Sequence, residues 1–189
     1  MKKNFWRLIS SLGMVLALTI SSCQKIEARR PVTRGSTSND QASVEFNKKL
    51  NATQEAAIET LLERDSIDYL RSGDGFYYYF TKQDELETPS PEFGDRVTFE
   101  YDVVALNGDT IYRKEELSPV TKSMEQEYGI FKGMREALKL MQDGDEIIAY
   151  FPSYSAYGYI GDKNRIGANT PFKSRIKLLE INKSGGNKP

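Results

Sequence analysis

Apolar and polar side chains alternate along residues 96–105, RVTFEYDVVA, and this pattern constrains the fold more than any other stretch of the chain. The alternation places Val97, Phe99, Tyr101 and Val103 on one face of a strand, so that face is buried. The dipeptide Asn107-Gly108 follows and favours the tight turn of a hairpin, after which DTIY returns antiparallel to the first strand. The chain therefore contains an antiparallel sheet with one face that another layer must cover.

The segments that surround this hairpin predict the rest of an α+β domain over residues 73–183. GFYYYF (75–80), the stretch that begins at Ser118-Pro119-Val120, EIIAYF (146–151) and FKSRIKLLEIN (172–182) are extended or strand candidates. One short amphipathic helix is predicted where apolar residues recur at helical spacing, and it stops at Asp143-Gly144. Its apolar positions are Met134, Ala137, Leu138 and Met141.

A second helix is predicted upstream, over residues 44–72, and the cluster Gly73-Asp74-Gly75 ends it. Its apolar stripe consists of Phe46, Leu50, Ala57 and Leu61, with Ile58 and Leu62 beside it. Such a helix could dimerise, dock on the following domain or act as a spacer. Because every strand and the core helix identified lie inside residues 75–183, we predict that this span folds without the tether and the upstream helix.

The N-terminus has the pattern of an export signal. Lys2, Lys3 and Arg7 precede a short apolar stretch, and ISSC (20–23) resembles a bacterial lipobox that contains the single cysteine of the chain. We therefore predict a signal peptide over 1–22, lipidation at Cys23, a flexible tether over 23–43 and a disordered tail over 184–189. Lipidation at Cys23 would anchor the protein in the cell envelope, at the outer membrane facing the periplasm. The alternative is an ordinary signal peptide followed by a free thiol.

Composition excludes several kinds of chemistry. The chain has 189 residues, no histidine and one cysteine, which rules out histidine acid–base catalysis, Cys-His nucleophiles and Cys/His zinc sites. A net charge of −1 provides no overall basic field for nucleic acid. Carboxylate chemistry, hydroxyl chemistry or an apolar binding site remain, and no cofactor or metal is expected.

Five segments together resemble the FK506-binding-protein (FKBP) type of peptidyl-prolyl isomerase, from about Gly94 to Ile181. They are GDRVTFEYDV, NGDTIY, IFKGMREALKLMQDGDE, FPSYSAYG and IKLLEI. The lipobox, EARRP, FYYYF and FPSYSAYGYIGDKNRIGANTPF resemble the gliding-motility-associated lipoprotein isomerases of that superfamily. The resemblance implies a strongly curved sheet wrapped around the short helix.

The resemblance also implies an apolar cup that holds an X-Pro amide. Met134 would form its floor, Ile166 would overhang it, and the Tyr157 hydroxyl and the Phe131 N–H would bind a ligand carbonyl. The matched positions are Tyr101, Ile111, Tyr112, Val120, Ile130, Phe131, Met134, Tyr157 and Ile166. Several positions depart from the family pattern: Tyr112 replaces an aspartate and removes a polar anchor, Met134 replaces a tryptophan, Val120 and Ser174 replace phenylalanines, and Gly167-Ala168 replaces a proline pair.

Isomerisation suits a chain without histidine, since rotation about an X-Pro bond needs no proton transfer. The implied partners are proline-containing segments of envelope proteins. The first alternative is a non-catalytic, membrane-tethered chaperone or scaffold that binds such segments. The second, a hydrolase using Glu115 and Glu116, is disfavoured because adjacent residues of an extended segment face opposite ways, so that a solvated charged loop explains RKEEL better.

Overall fold

An antiparallel sheet is the largest element of the computed structural model. Its strands are β1 (Leu70–Arg71), β2 (Tyr77–Lys82), β3 (Arg96–Tyr101), β4 (Val103–Ala105), β5 (Thr110–Tyr112), β6 (Val120–Ser123), β7 (Glu146–Phe151) and β8 (Phe172–Asn182). They follow the order β1-β2-β7-β8-β3-β6, with the β4–β5 hairpin joined to β8. This confirms the predicted α+β fold.

The structure describes residues 38–83, 88–117, 119–125 and 129–184. The predicted signal peptide, the predicted lipidation site Cys23 and the predicted tether as far as residue 37 lie outside these residues, as do residues 185–189 of the predicted tail. Within the described ranges, no helix is both long enough and apolar enough to cross a bilayer.

The alternating segment forms two strands in line. Val97 and Phe99 of β3 and Val103 of β4 are buried, as the alternation predicts. Asp102 separates the strands, and its carboxylate accepts a hydrogen bond from the Arg175 N–H of β8 at 2.8 Å. The hairpin is also confirmed, because β4 pairs with β5 across the Asn107-Gly108 turn.

In the described part of the chain, three α-helices accompany the sheet: α1 (Ser38–Arg64), α2 (Lys114–Leu117) and α3 (Lys132–Leu138). The predicted amphipathic helix corresponds to α3, which buries Gly133, Met134, Ala137 and Leu138. Gly133 is required by close packing, because a Cβ atom there would lie 2.6 Å from the Ser155 carbonyl oxygen. Helix α2 forms where the sequence suggested a charged loop, so the expected extended arrangement of Glu115 and Glu116 is wrong.

Helix α1 differs from the prediction at both ends. It already includes residues 38–43, which we had assigned to the tether, and it ends at Arg64 instead of continuing to residue 72. Ser66 adopts a left-handed conformation (φ 52°), and the N–H of Ile67 donates to the Leu62 carbonyl at 3.0 Å. These features form a Schellman cap, which stops the helix without glycine.

The buried face of α1 also differs from the predicted stripe. Ile58 and Leu62 are fully buried against Tyr77 and Tyr150 of the sheet, whereas Phe46 is 62% exposed. Strand β1 lies upstream of residue 75 and pairs with β2. The premise that every strand lies within residues 75–183 is therefore wrong, because β1 precedes this span, and the span also lacks the helix that covers one face of the sheet.

Candidate active site

All nine residues predicted from the resemblance belong to one apolar cluster, which we call the main cluster. It lies between α3 and the face of the sheet that carries Val97 and Phe99. The site residues come from β3 (Tyr101), β5 (Ile111 and Tyr112), β6 (Val120), the segment before α3 (Ile130 and Phe131), α3 itself (Met134) and the loop between β7 and β8 (Tyr157 and Ile166). The structure therefore brings together residues spread over 66 positions of the sequence.

Phe131 lies at the centre of an aromatic group within this cluster. Its ring centroid is 5.0 Å from that of Tyr157, 5.1 Å from Phe151 and 5.5 Å from Phe172. The sequence analysis did not assign Phe151 and Phe172 to the site. Their positions could have indicated a role in the site, because they stand at the end of β7 and the start of β8, on either side of the loop that carries Tyr157.

The site residues differ in how much surface they present. Met134 is fully buried, and Ile166, Tyr112, Ile130 and Phe131 are each at most 8% exposed. Tyr101, Ile111, Val120 and Tyr157 are only partly buried and pack against the cluster from its edge. The exposed surface of the site is therefore formed mainly by these partly buried residues, whereas Met134 is enclosed by the protein.

Two tyrosine hydroxyls provide polar groups at this surface. The hydroxyls of Tyr101 and Tyr157 are hydrogen-bonded to each other, and burial raises the pKa of each. Both side chains therefore remain protonated donors at neutral pH. Phe131 occupies the N-cap position of α3 with an extended backbone (ψ 156°), where its N–H is not part of the hydrogen bonding within the helix.

Asp162 brings a carboxylate next to the Tyr112 hydroxyl. The Tyr112 hydroxyl donates a short hydrogen bond to Asp162, and the backbone N–H groups of Asn164 and Ile166 donate to the same side chain, each at 2.8 Å. Burial raises the pKa of Asp162, but these hydrogen bonds outweigh it and lower the pKa overall. A carboxylate therefore lies beside Tyr112, on a loop residue that is not among the predicted site residues.

Charged groups form the outer edge next to Tyr112. The Arg165 guanidinium lies 4.0 Å from the centre of the Tyr112 ring and pairs with Glu116 at 2.8 Å. Glu116 is therefore held in an ion pair and not opposed to Glu115 across a cleft. Within the described residues, no group of three or more acidic or cysteine side chains is placed to hold a metal ion.

Comparison with known proteins relates this arrangement to FKBP-type domains. Residues 88–179 match the family model of the FKBP-type peptidyl-prolyl cis-trans isomerases. The chain is 30% identical over 129 residues to the "Probable FKBP-type peptidyl-prolyl cis-trans isomerase FkpA" of Neisseria meningitidis serogroup B. The matched region covers 67% of the chain but only 44% of that relative.

Solved structures show the same fold. The crystal structure of FkpA from Escherichia coli matches with a TM-score of 0.58 at 18% identity, over 96% of each chain. A peptidyl-prolyl cis-trans isomerase from Pseudomonas syringae pv. tomato matches with a TM-score of 0.55 at 19% identity, over 79% of this chain and all of that one. At these identities the structural likeness concerns the fold.

Proposed function

We propose that the protein is a peptidyl-prolyl cis-trans isomerase that holds the X-Pro bond of a client polypeptide against the main cluster. One observation carries the proposal: Tyr157 and Tyr101 present paired hydroxyls at the edge of an aromatic wall that includes Phe131. The match of residues 88–179 to the isomerase family supports it.

The physical basis is the electronic structure of the amide. The barrier to rotation, about 18–20 kcal/mol, arises from lost C–N resonance, and the twisted amide has less charge separation than the planar one. An apolar surface therefore stabilises the twisted form relative to water, and a hydroxyl that donates to a neighbouring carbonyl fixes the peptide in place. No group has to gain or lose a proton.

The proposal is tested by a protease-coupled assay with an apolar-Pro peptide. We expect Phe131→Ala to lower kcat/KM more than tenfold, because it removes apolar surface from the wall. Tyr157→Phe removes one hydrogen bond worth about 0.5–1.5 kcal/mol, so we expect a loss of about twofold to tenfold. A rate with the unmodified protein equal to that of the peptide alone would show that the protein is not an isomerase.

A non-catalytic binding module is the second candidate, and the departures of the site from the family pattern favour it. A fully buried methionine, Met134, stands where the family has a tryptophan, and Val120 and Ser174 replace phenylalanines. The substitution Met134→Trp separates the two candidates. In an isomerase limited by its floor it raises kcat/KM if the larger ring fits without overpacking, whereas in a binding module it changes only the affinity for an unstructured client.

We also propose that the protein is lipid-anchored in the cell envelope, where it assists the folding of gliding or secretion machinery. The motifs that resemble the gliding-motility-associated isomerases and the lipobox ending at Cys23 support this proposal. Mass spectrometry of the native protein should find an acylated N-terminal Cys23. An unmodified N-terminus at another residue would disprove the anchor, and Cys23→Ser should yield an uncleaved or soluble form.

A further inference from the structure

Gln54 is a buried polar residue on the face of α1 that packs against the domain. It is 6% exposed, and both ends of its carboxamide are hydrogen-bonded. Its Oε1 accepts a hydrogen bond from the Ser153 N–H at 2.8 Å, and its Nε2 donates to the Asn169 carbonyl at 2.9 Å. One side chain therefore binds backbone groups that lie 16 positions apart in the sequence.

Those two backbone groups mark the ends of the loop that carries part of the candidate site. The loop, residues 153–169, contains Tyr157 and Ile166 as well as Asp162. Within it, the Gly158 N–H donates to the Ser153 carbonyl and the Asn169 N–H donates to the Gly158 carbonyl, each at 2.8 Å. Ser153, Gly158 and Asn169 are thus linked in sequence by hydrogen bonds, and Gln54 joins the two ends of this series. Gly158, in the middle of the series, directly follows Tyr157.

The residue that follows Gln54 makes a second contact between α1 and the loop. The Tyr154 hydroxyl donates to the Glu55 carboxylate at 2.6 Å, and Arg71 pairs with the same carboxylate at 2.8 Å. Burial and the neighbouring Glu55 raise the pKa of Tyr154 to about 12, so this hydroxyl remains a donor at neutral pH. The contact supports the loop at its first turn.

We infer that Gln54 is a positioning residue for the proposed active site: α1, which lies outside the segment that matches the isomerase family, holds the loop that carries Tyr157 and Ile166. The inference rests on the proposed isomerase function. Removal of both hydrogen bonds leaves the buried Ser153 N–H without its partner, so the loop must shift or open to water. The Tyr157 wall then loses its fixed position against Phe131, and catalysis that depends on geometry weakens.

The test uses the full-length chain with Gln54→Met, which keeps the approximate length and volume of the side chain but removes both hydrogen bonds. Gln54→Glu keeps an acceptor for the Ser153 N–H and removes the donor to Asn169. Thr53→Ala is the matched control, because this exposed hydroxyl bonds only its own helix, at the Lys49 carbonyl. Ile58→Val controls for lost stability, since Ile58 packs against the sheet and belongs to a different cluster from the site.

Two measurements are compared among these variants: amide hydrogen exchange of residues 153–169 and kcat/KM on the proline peptide. For Gln54→Met we expect faster exchange across the loop and an approximately tenfold lower kcat/KM, equivalent to about 1.4 kcal/mol. Gln54→Glu should show faster exchange mainly at the Asn169 end. Thr53→Ala and Ile58→Val should leave both quantities within about twofold of the unmodified protein.

The outcomes separate this inference from the isomerase proposal. Loop exchange in Gln54→Met and Gln54→Glu that is no faster than in Ile58→Val would overturn the positioning role, as would faster exchange with kcat/KM unchanged. If the unmodified protein does not accelerate isomerisation, the isomerase proposal fails. In that case the exchange measurement alone decides whether Gln54 holds the loop.

Discussion

The two faces of the sheet carry apolar clusters of different kinds. The main cluster includes Phe76, Tyr78 and Phe80 of the GFYYYF segment, whereas Tyr77 and Tyr79 of the same segment join Ile58, Leu62 and Tyr150 in a second cluster under α1. In the second cluster the Tyr77 hydroxyl donates to Glu59 at 2.8 Å. Both clusters have partly buried side chains at their edges, but those of the main cluster include Tyr101 and Tyr157, whose hydroxyls are hydrogen-bonded to each other. One face therefore supports the fold, and the other also offers a surface to a ligand.

The largest expected effect tests whether the second cluster is needed for the fold. A shortened chain that begins at residue 73 lacks α1 and β1 and exposes Tyr77 and Tyr150. Because burial of one large aliphatic side chain contributes about 1.5–3 kcal/mol, the loss of Ile58 and Leu62 should lower the free energy of unfolding by about 3–6 kcal/mol. Urea unfolding of both chains measures this difference. Equal midpoints would show that α1 is a spacer, as one of the interpretations from sequence allowed.

A smaller effect is expected when only the second cluster is weakened. Leu62→Ala leaves a cavity beneath α1 and should lower the free energy of unfolding by about 2–5 kcal/mol. Since Leu62 lies outside the main cluster, kcat/KM of the folded protein should remain within about twofold. Unfolding and turnover are measured on the same preparation. A tenfold loss of turnover without unfolding would mean that the two faces do not have separate roles.

Asp162→Asn should have a milder effect, located at the candidate site. The hydrogen bond from the Tyr112 hydroxyl then has a neutral acceptor, which should weaken stability by about 1 kcal/mol and loosen the loop at Ile166. Asp65→Asn is the control near the second cluster, because Asp65 is paired with Arg64 at an exposed position. The control should leave stability nearly unchanged, and only Asp162→Asn should lower kcat/KM.

The smallest expected effect is that of pH. The pKa of Asp162 lies below its usual value of 3.8, so its contribution to stability is complete above pH 3.8 and is lost as the pH falls further. The pKa values of Tyr101 and Tyr157 are raised above 10, so their hydroxyls stay protonated until strongly alkaline pH. We therefore expect kcat/KM to be constant between pH 6 and 8. A bell-shaped profile in this range would reveal a titrating group in catalysis.

Much of the sheet could be predicted from the sequence because its signals are local. Alternation identified β3 and β4, the Asn107-Gly108 turn identified the hairpin, and the segment FKSRIKLLEIN forms β8 over its full length. The continuous apolar run in EIIAYF has a physical explanation as well. Ile147, Ala149 and Phe151 face the main cluster, while Ile148 and Tyr150 face the second, so both sides of β7 are covered.

The parts that were missed depend on contacts between distant residues. The end of α1 escaped prediction because its Schellman cap uses Ser66 where glycine is usual. The buried face of α1 was misplaced because Gln54 is polar, and its burial is explained only by Ser153 and Asn169, about a hundred residues away. Asp162 was also missed because its role depends on a distant residue: its hydrogen-bond partner Tyr112 lies on β5, 50 positions earlier in the sequence.

Gln54 also fixes the position of α1 along the sheet. Ile58 and Leu62 are four residues apart, so a slide of one turn, about 6 Å, would place Ile58 where Leu62 now packs. Gln54 would then enter the space of Ile58, beside Tyr77 and Tyr150, with its carboxamide away from Ser153 and Asn169. A buried carboxamide without partners costs about 1–3 kcal/mol, and the slipped helix also places only one aliphatic side chain of α1 in the second cluster instead of two. The helix therefore has one alignment on the sheet, selected by hydrogen bonds together with apolar packing.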